Sequence, residues 1–316
     1  MKNLAAEPGT SRQGSEAPLP ILKWAGGKRA LLPKILPLIP EFRGTYFEPF
    51  LGAGAVFFAM PKNVRKVGND YNKELIELYR VVRDNPDGLL FHLRQHVNEK
   101  EHFYKVRAWD REPGFSQRSA EARAARLIFL NKTCFNGLYR VNSRNEFNVP
   151  FADLKKPDFV AEANVRRMSA FLRFRFHGRR AVTLKAGDYH AATKKARAGD
   201  FVYFDPPYDP TSVTSSFVSY QNSGFTQNDQ EGLKAEIDRL TAIGVPVLLS
   251  NSATPFIKKL FGDKSVYRIT EITANRTIGA DTGSRGKTAE VLVDNYRATV
   301  ERKPGVQTKR QRLRMG

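Results

Sequence analysis

The stretch "DFVYFDPPYDP" (residues 200–210) decides the reading of this chain. Phe201 to Phe204 is an unbroken apolar and aromatic run, the pattern of a strand buried on both faces. It ends on Asp205 and two prolines. Proline fixes φ and carries no N–H, so the backbone after Asp205 is stiff and offers only acceptors, such as the carbonyl of Pro206, beside the carboxylate. Such a set accepts hydrogen bonds from an NH2 group, and Tyr208 adds a flat ring. An exocyclic base amine is a poor nucleophile because its lone pair is delocalised into the ring. Accepting both of its protons favours a tetrahedral nitrogen with a usable lone pair. A base reaches such a pocket only when it is flipped from its duplex. For these four residues alone, the alternative is an ordinary Asp-Pro-Pro turn at a strand end.

Moving outward, strands and helices alternate on both sides of a contrasting middle. "GTYFEPFLGAGAVFFAM" (44–60) reads as strand, Gly-rich turn and helix. "NVRKVGNDYNKELIELYRVV" (63–82) repeats the pattern, with Leu75, Ile76, Leu78, Tyr79 and Val82 on the inner side of its helix. Residues 85–180 are helical and charged, with a polar loop "NGLYRVNSRNEFNVPF" (136–151). Alternation resumes after residue 181 and includes the strands "VPVLLSNSA", "VYRITEIT" and "EVLVDNY". The expected fold is α/β, a doubly wound mixed sheet interrupted by a helical insertion. The expected division is a leader at 1–19, one α/β unit from 20–84 and 181–298, the insertion at 85–180 and a basic tail at 299–316. Ligands in such sheets bind beyond the carboxyl ends of the strands where the strand order reverses. That places Gly52, Gly54, Asp70 and Asp205 on one rim.

Gly52 and Gly54 permit a tight turn and close approach of a ligand to the backbone. They do not complete a dinucleotide fingerprint, and a plain strand–helix turn stays open. Asp70 suits the hydroxyls of a ribose, or else caps the helix that follows. Together they favour an adenosine-type cofactor.

The chain has 52 Lys and Arg against 32 Asp and Glu, a formal charge of +20, which favours a polyanionic partner. A single cysteine, Cys134, excludes an internal disulfide framework and a multi-cysteine metal site. No run approaches the ~18 apolar residues of a membrane span, and the first 20 residues carry no secretory apolar stretch. Two decoys fall away. "GADTGSRGKT" (279–288) has Asp281 where a phosphate loop needs glycine, and a strand rather than a helix follows. His92 and His96 stand four apart, but with no third ligand in register they read as helix-surface histidines, so no metal is expected.

Seven segments in order, "KWAGGK", "FEPFLGAGAVFF", "NDYNKELIELYRVV", "NKTCFNGLYRVNSRNEFNVPF", "VYFDPPYDP", "SFVSYQNSGFT" and "VLLSN", resemble the Dam-type DNA adenine N6-methyltransferase family over nearly all of residues 20–298. The resemblance implies the S-adenosylmethionine-dependent methyltransferase fold, with the insertion as target-recognition domain. It implies S-adenosylmethionine as cofactor, lined by Trp24, Lys28, Phe50, Gly52, Gly54, Asp70 and Asp205. It implies catalysis at Asp205, Pro206, Pro207 and Tyr208. It also implies double-stranded DNA as partner, with GATC as the target. Asn136, Leu138 and Arg140 fall in the base-reading loop, Phe217 and Tyr220 in a loop near the flipped base. Arg140 agrees with the preference of arginine for a guanine edge. Arg276 and Lys287 are phosphate contacts by charge alone. A cytoplasmic, nucleoid-associated monomer without a metal is expected. The alternatives are an N4-cytosine or RNA-adenine methyltransferase, or an idle DNA-binding relative. The leader and tail lie outside the resemblance.

Overall fold

A computed structural model describes residues 17–211, 225–275 and 287–297. Its strands are β1 (Thr45–Glu48), β2 (Arg65–Asp70), β3 (Arg175–Phe176), β4 (Arg179–Arg180), β5 (Val182–Ala186), β6 (Phe201–Phe204), β7 (Val247–Ser252), β8 (Arg268–Asn275) and β9 (Lys287–Asp294). β3 and β4 pair only with each other, and the rest form one sheet in the order β5-β2-β1-β6-β7-β9-β8. The first five in that order run parallel, and β9 is antiparallel to both its neighbours. The doubly wound mixed α/β fold is therefore present.

β6 explains the apolar run. All four of its residues are buried, and it pairs in parallel with β1 and β7. Successive strand side chains point to opposite faces. Phe201 and Tyr203 join one hydrophobic core, Val202 and Phe204 another. With both faces covered, no position along β6 can be polar until the strand ends. Burial of Phe201 and Phe204 contributes roughly 1.5–3 kcal/mol each.

The helices are α1 (Leu32–Ile35), α2 (Ala55–Ala59), α3 (Lys73–Asp84), α4 (Pro86–Leu93), α5 (Lys100–Arg107), α6 (Ala120–Thr133), α7 (Glu162–Arg173), α8 (Tyr189–Thr193), α9 (Gln227–Ala242) and α10 (Pro255–Leu260). Every inner residue expected on α3 is buried. α4, α6 and α7 share the core of α3, while α9 and α10 cover the other face. A third, smaller core around Phe103, Phe129, Phe147 and Val149 supports the polar loop. The chain order moves from β1 outward to β2 and β5, then crosses back to β6 beside β1. The carboxyl ends of β1, β2 and β6 thus meet at the reversal.

One surface expectation is wrong. His96 is only 7% exposed, because α4 ends at Leu93 and the chain turns inward. Its ring stacks on Phe129 at 4.6 Å, and its Nδ1 lies 3.0 Å from His102 Nε2. That contact needs one nitrogen to donate and the other to accept. Burial, then His102 and His92, push the His96 pKa from its ordinary 6.5 down to about 4. Between these values the unfolded chain binds a proton that the folded chain does not. Stability should therefore fall as pH drops from 6.5 toward 4, by about 1.4 kcal/mol per pH unit from this group. Urea unfolding at pH 7 and pH 5 should show a smaller acid loss for His96→Phe than for the parent protein.

Candidate active site

The glycine turn stands between β1 and α2. Gly52 and Gly54 have φ of 48° and 69°, values that side chains disfavour. A Cβ on Gly52 would lie 3.0 Å from Trp24 Cδ1, and one on Gly54 would lie 2.6 Å from Phe58 Cε2. Asp70, at the end of β2, accepts from Gly52 N at 2.8 Å and from Asn72 N at 2.9 Å. Asn72, not Asp70, caps α3, accepting from Leu75 N. The choice left open for Asp70 is thereby decided against the helix cap. Burial raises its pKa, and the Asn72 and Gly52 N–H groups oppose that shift. The Tyr79 hydroxyl donates to Gly52 O at 2.9 Å, holding the turn from below. Phe50 is half-buried, stacked on Tyr189 at 5.3 Å and edge-on to Phe225.

Asp205 follows β6 on the same rim. Lys28 Nζ lies 2.8 Å from its Oδ1, and Lys28 is 5% exposed. The two form a buried ion pair in which the ammonium serves as donor to this oxygen. Lys28 Nζ also donates to Gly26 O at 2.5 Å and stands 4.6 Å from the centre of the Tyr208 ring. No hydrogen bond from the described residues reaches Pro206 O, whereas Pro207 O accepts one from Gln230. Burial raises the Asp205 pKa to about 6, Lys28 opposes that, and Glu290 adds to it.

Two acids of this cluster were not singled out in the sequence. Glu290 on β9 accepts from the Tyr208 hydroxyl at 3.0 Å. Glu48, ending β1, accepts from the Tyr46 hydroxyl at 2.5 Å, and burial pushes its pKa well above the usual range. The "FEPF" spelling held a signal for Glu48, a charge inside an apolar strand; Glu290 had none.

The polar loop meets this rim at two points. The ring of Tyr139 stacks on Trp24 at 5.1 Å, and its hydroxyl donates to Glu74 Oε2 at 3.1 Å. Asn131, fully buried on α6, accepts from Lys23 N and donates to Lys23 O and Gly137 O, each at 2.8 Å. Asn136 takes a positive φ of 55°. Leu138 is half-buried against the third core. Arg140 is exposed, with Nε donating to Asn148 Oδ1 at 2.7 Å. Phe135 beside it is 42% exposed. Phe217, Tyr220 and Arg276 lie outside the described residues.

Comparison with known proteins shows the family of the chain. Residues 24–278 match the family model described as D12 class N6 adenine-specific DNA methyltransferase. The chain belongs to that family. It is 43% identical to the Type II methyltransferase M1.LlaDCHI of Lactococcus lactis subsp. cremoris, over 88% of this chain and 95% of that one. It is 36% identical to the Type II methyltransferase M.MjaIII of Methanocaldococcus jannaschii, covering 88% and 99%. It is 34% identical to a DNA adenine methylase of Serratia marcescens, covering 86% and 96%. The protein is a DNA adenine N6-methyltransferase, its substrate is DNA and its cofactor is S-adenosylmethionine. The N4-cytosine, RNA and idle alternatives are set aside. Among the described residues no helix is long and apolar enough to cross a membrane.

The rim fits this D12 cofactor. Side-chain-free glycines leave space against Trp24, the Asp70 oxygens keep lone pairs beyond their two backbone donors, and the Asp205 carboxylate, paired with Lys28 through Oδ1, would suit a positively charged group. A carboxylate that must be ionised to accept sets an acid limit. Activity should rise with pH through about 6, since Asp205 loses its proton there. Lys28→Met should move that limb upward, because the ammonium holds the pKa down. A pH profile of kcat/KM for both proteins checks this.

Proposed function

We propose that the Asp205–Tyr208 turn clamps the amino group of an adenine flipped out of double-stranded DNA, in GATC. The observation that supports this reading is the buried Asp205 carboxylate at the end of β6, paired with Lys28 through Oδ1, beside a glycine turn and the reversal of strand order. Asp205 and Pro206 O accept the two N–H groups, and Tyr208 covers the base. Trp24, Lys28, Phe50, Gly52, Gly54, Asp70 and Asp205 form the cofactor-binding set. Bound there, S-adenosylmethionine supplies a methyl group on a positively charged sulfur. The protein's own contribution is orientation and stabilisation of the positive charge that builds on the attacked nitrogen. Asp205, with a pKa raised toward neutrality, is suited to that charge.

Sequence reading is assigned to residues 85–180. Arg140 is exposed and the described residues give its terminal amino groups no hydrogen bond, which supports a guanine contact. Asn136 and Leu138 set the loop that carries it, and exposed Phe135 is placed to wedge between base steps. Phe217, Tyr220 and Arg276 stay assigned to DNA on the resemblance and on charge. Residues 20–84 and 181–298 are assigned to catalysis. A monomer acting on the nucleoid in the cytoplasm completes the reading.

Incubation of double-stranded DNA with labelled S-adenosylmethionine, then nucleoside analysis and mapping of modified positions, should give N6-methyladenine at GATC. Asp205→Ala should abolish transfer and leave DNA binding largely intact; an active variant would sink the clamp. Arg140→Ala should weaken discrimination at one base pair by roughly 1–3 kcal/mol, read from competition between single-substitution duplexes.

A further inference from the structure

We infer that Gln230 and Asn251 are positioning residues for methyl transfer, acting through the backbone on either side of Tyr208. This rests on the reading of the Asp205–Tyr208 turn as the amine clamp. Pro206 and Pro207 have no N–H, and β6 stops at Phe204, so the turn has no ladder of its own. It is held from outside.

Gln230 sits in the first turn of α9 and is 2% exposed. Its Nε2 donates to Pro207 O at 2.9 Å, and its Oε1 accepts from Asn251 Nδ2 at 3.0 Å. Asn251 lies on β7, wholly buried, and its Oδ1 accepts from Asp209 N at 3.0 Å and from Ser252 N at 2.8 Å. The chain of bonds runs from the carbonyl before Tyr208 to the N–H after it. A carbonyl only accepts and a backbone N–H only donates, so the direction of both amides is forced. Leucine breaks the chain, and an ionised glutamate cannot donate to Pro207 O.

Packing alone does not call for glutamine here. Gln230 continues the buried stripe of Leu233, Ile237 and Leu240 on α9, where an apolar side chain would fill the space. The helix start is itself fixed by a capping box between Thr226 and Asp229. Asp209 is also anchored, accepting from Thr254 Oγ1 at 2.6 Å and from Gln227 Nε2 at 3.3 Å. With the hydroxyl of Tyr208 tied to Glu290, the ring is fixed at both its root and its tip. Pro207 O is engaged by Gln230, which leaves the amine to Asp205 and Pro206 O.

The test uses the full-length enzyme with Gln230→Leu and Gln230→Glu. The measurements are kcat, KM, calorimetric affinity for S-adenosylmethionine, thermal stability, and the fluorescence of 2-aminopurine at the target position of a bound duplex. Gln230→Leu should lower kcat by about tenfold to a hundredfold, the loss expected from stranding buried polar partners. Cofactor affinity should stay unchanged, and the 2-aminopurine should brighten because the ring no longer stacks on it squarely. Gln230→Glu should retain more activity than Gln230→Leu at pH values where the new buried carboxyl stays protonated. It should then lose activity as pH rises and the new carboxyl ionises, an alkaline limb that the parent lacks. A Gln230→Leu enzyme with parental kcat and fluorescence overturns the role. So does a fall in kcat matched by equal falls in cofactor affinity and stability in both variants. Asp205→Ala, run in parallel, separates the two claims: an active Asp205→Ala overturns the clamp itself. An inactive Asp205→Ala beside a fully active Gln230→Leu overturns only the positioning role.

Discussion

A carboxylate held at the end of a fully buried strand loses most of its hydration, and keeping it ionised is easier when a cation is brought in with it. Lys28 is that cation for Asp205. It comes from a segment remote in sequence, and it is anchored on Gly26 O, where the backbone takes a positive φ. Fixing Lys28 fixes its neighbours. Trp24 comes to rest against Gly52, and Lys23 against Asn131. The glycine turn, the Asp205–Tyr208 turn and the polar loop therefore share one electrostatic anchor. Removing it leaves a buried charge uncompensated and frees the strip of chain that joins the other three.

The site is short of positive charge. Glu48, Asp205 and Glu290 gather about one lysine, although the whole chain carries a large excess of basic residues. Burial and the nearby Asp205 charge favour the neutral form of Glu48, and the hydrogen bond donated by Tyr46 opposes them. The excess of basic residues over the whole chain suits a polyanionic substrate, whereas this cluster is locally acidic.

The sequence revealed the parts of this design that depend on local rules. The apolar run of β6, the glycines of the turn and the stripe on α3 each obey a period or a backbone requirement confined to a few residues. Asp70 ends its strand as expected, and excluding it as the helix cap needed the position of Asn72. What stayed hidden depends on pairing across the fold. Glu290 meets Tyr208 across 82 positions of chain, and nothing beside either residue announces the other. Gln230 looks like an ordinary polar helix residue until the direction of its stripe is known. His96 was misread because the periodicity of α4 was carried past its end, where the chain turns inward and buries the ring.

The stack of Tyr139 on Trp24 has a bearing on how such an enzyme changes its target over evolutionary time. The loop is built from two kinds of position. Tyr139 and Gly137 are committed to the interior, whereas Phe135, Arg140 and Arg144 project into solvent. Drift at the projecting positions leaves the contact with Trp24 and the glycine turn undisturbed. Drift at the committed ones damages both at once. New vocabulary can thus be acquired one exposed side chain at a time, on a grammar that the rest of the molecule keeps constant.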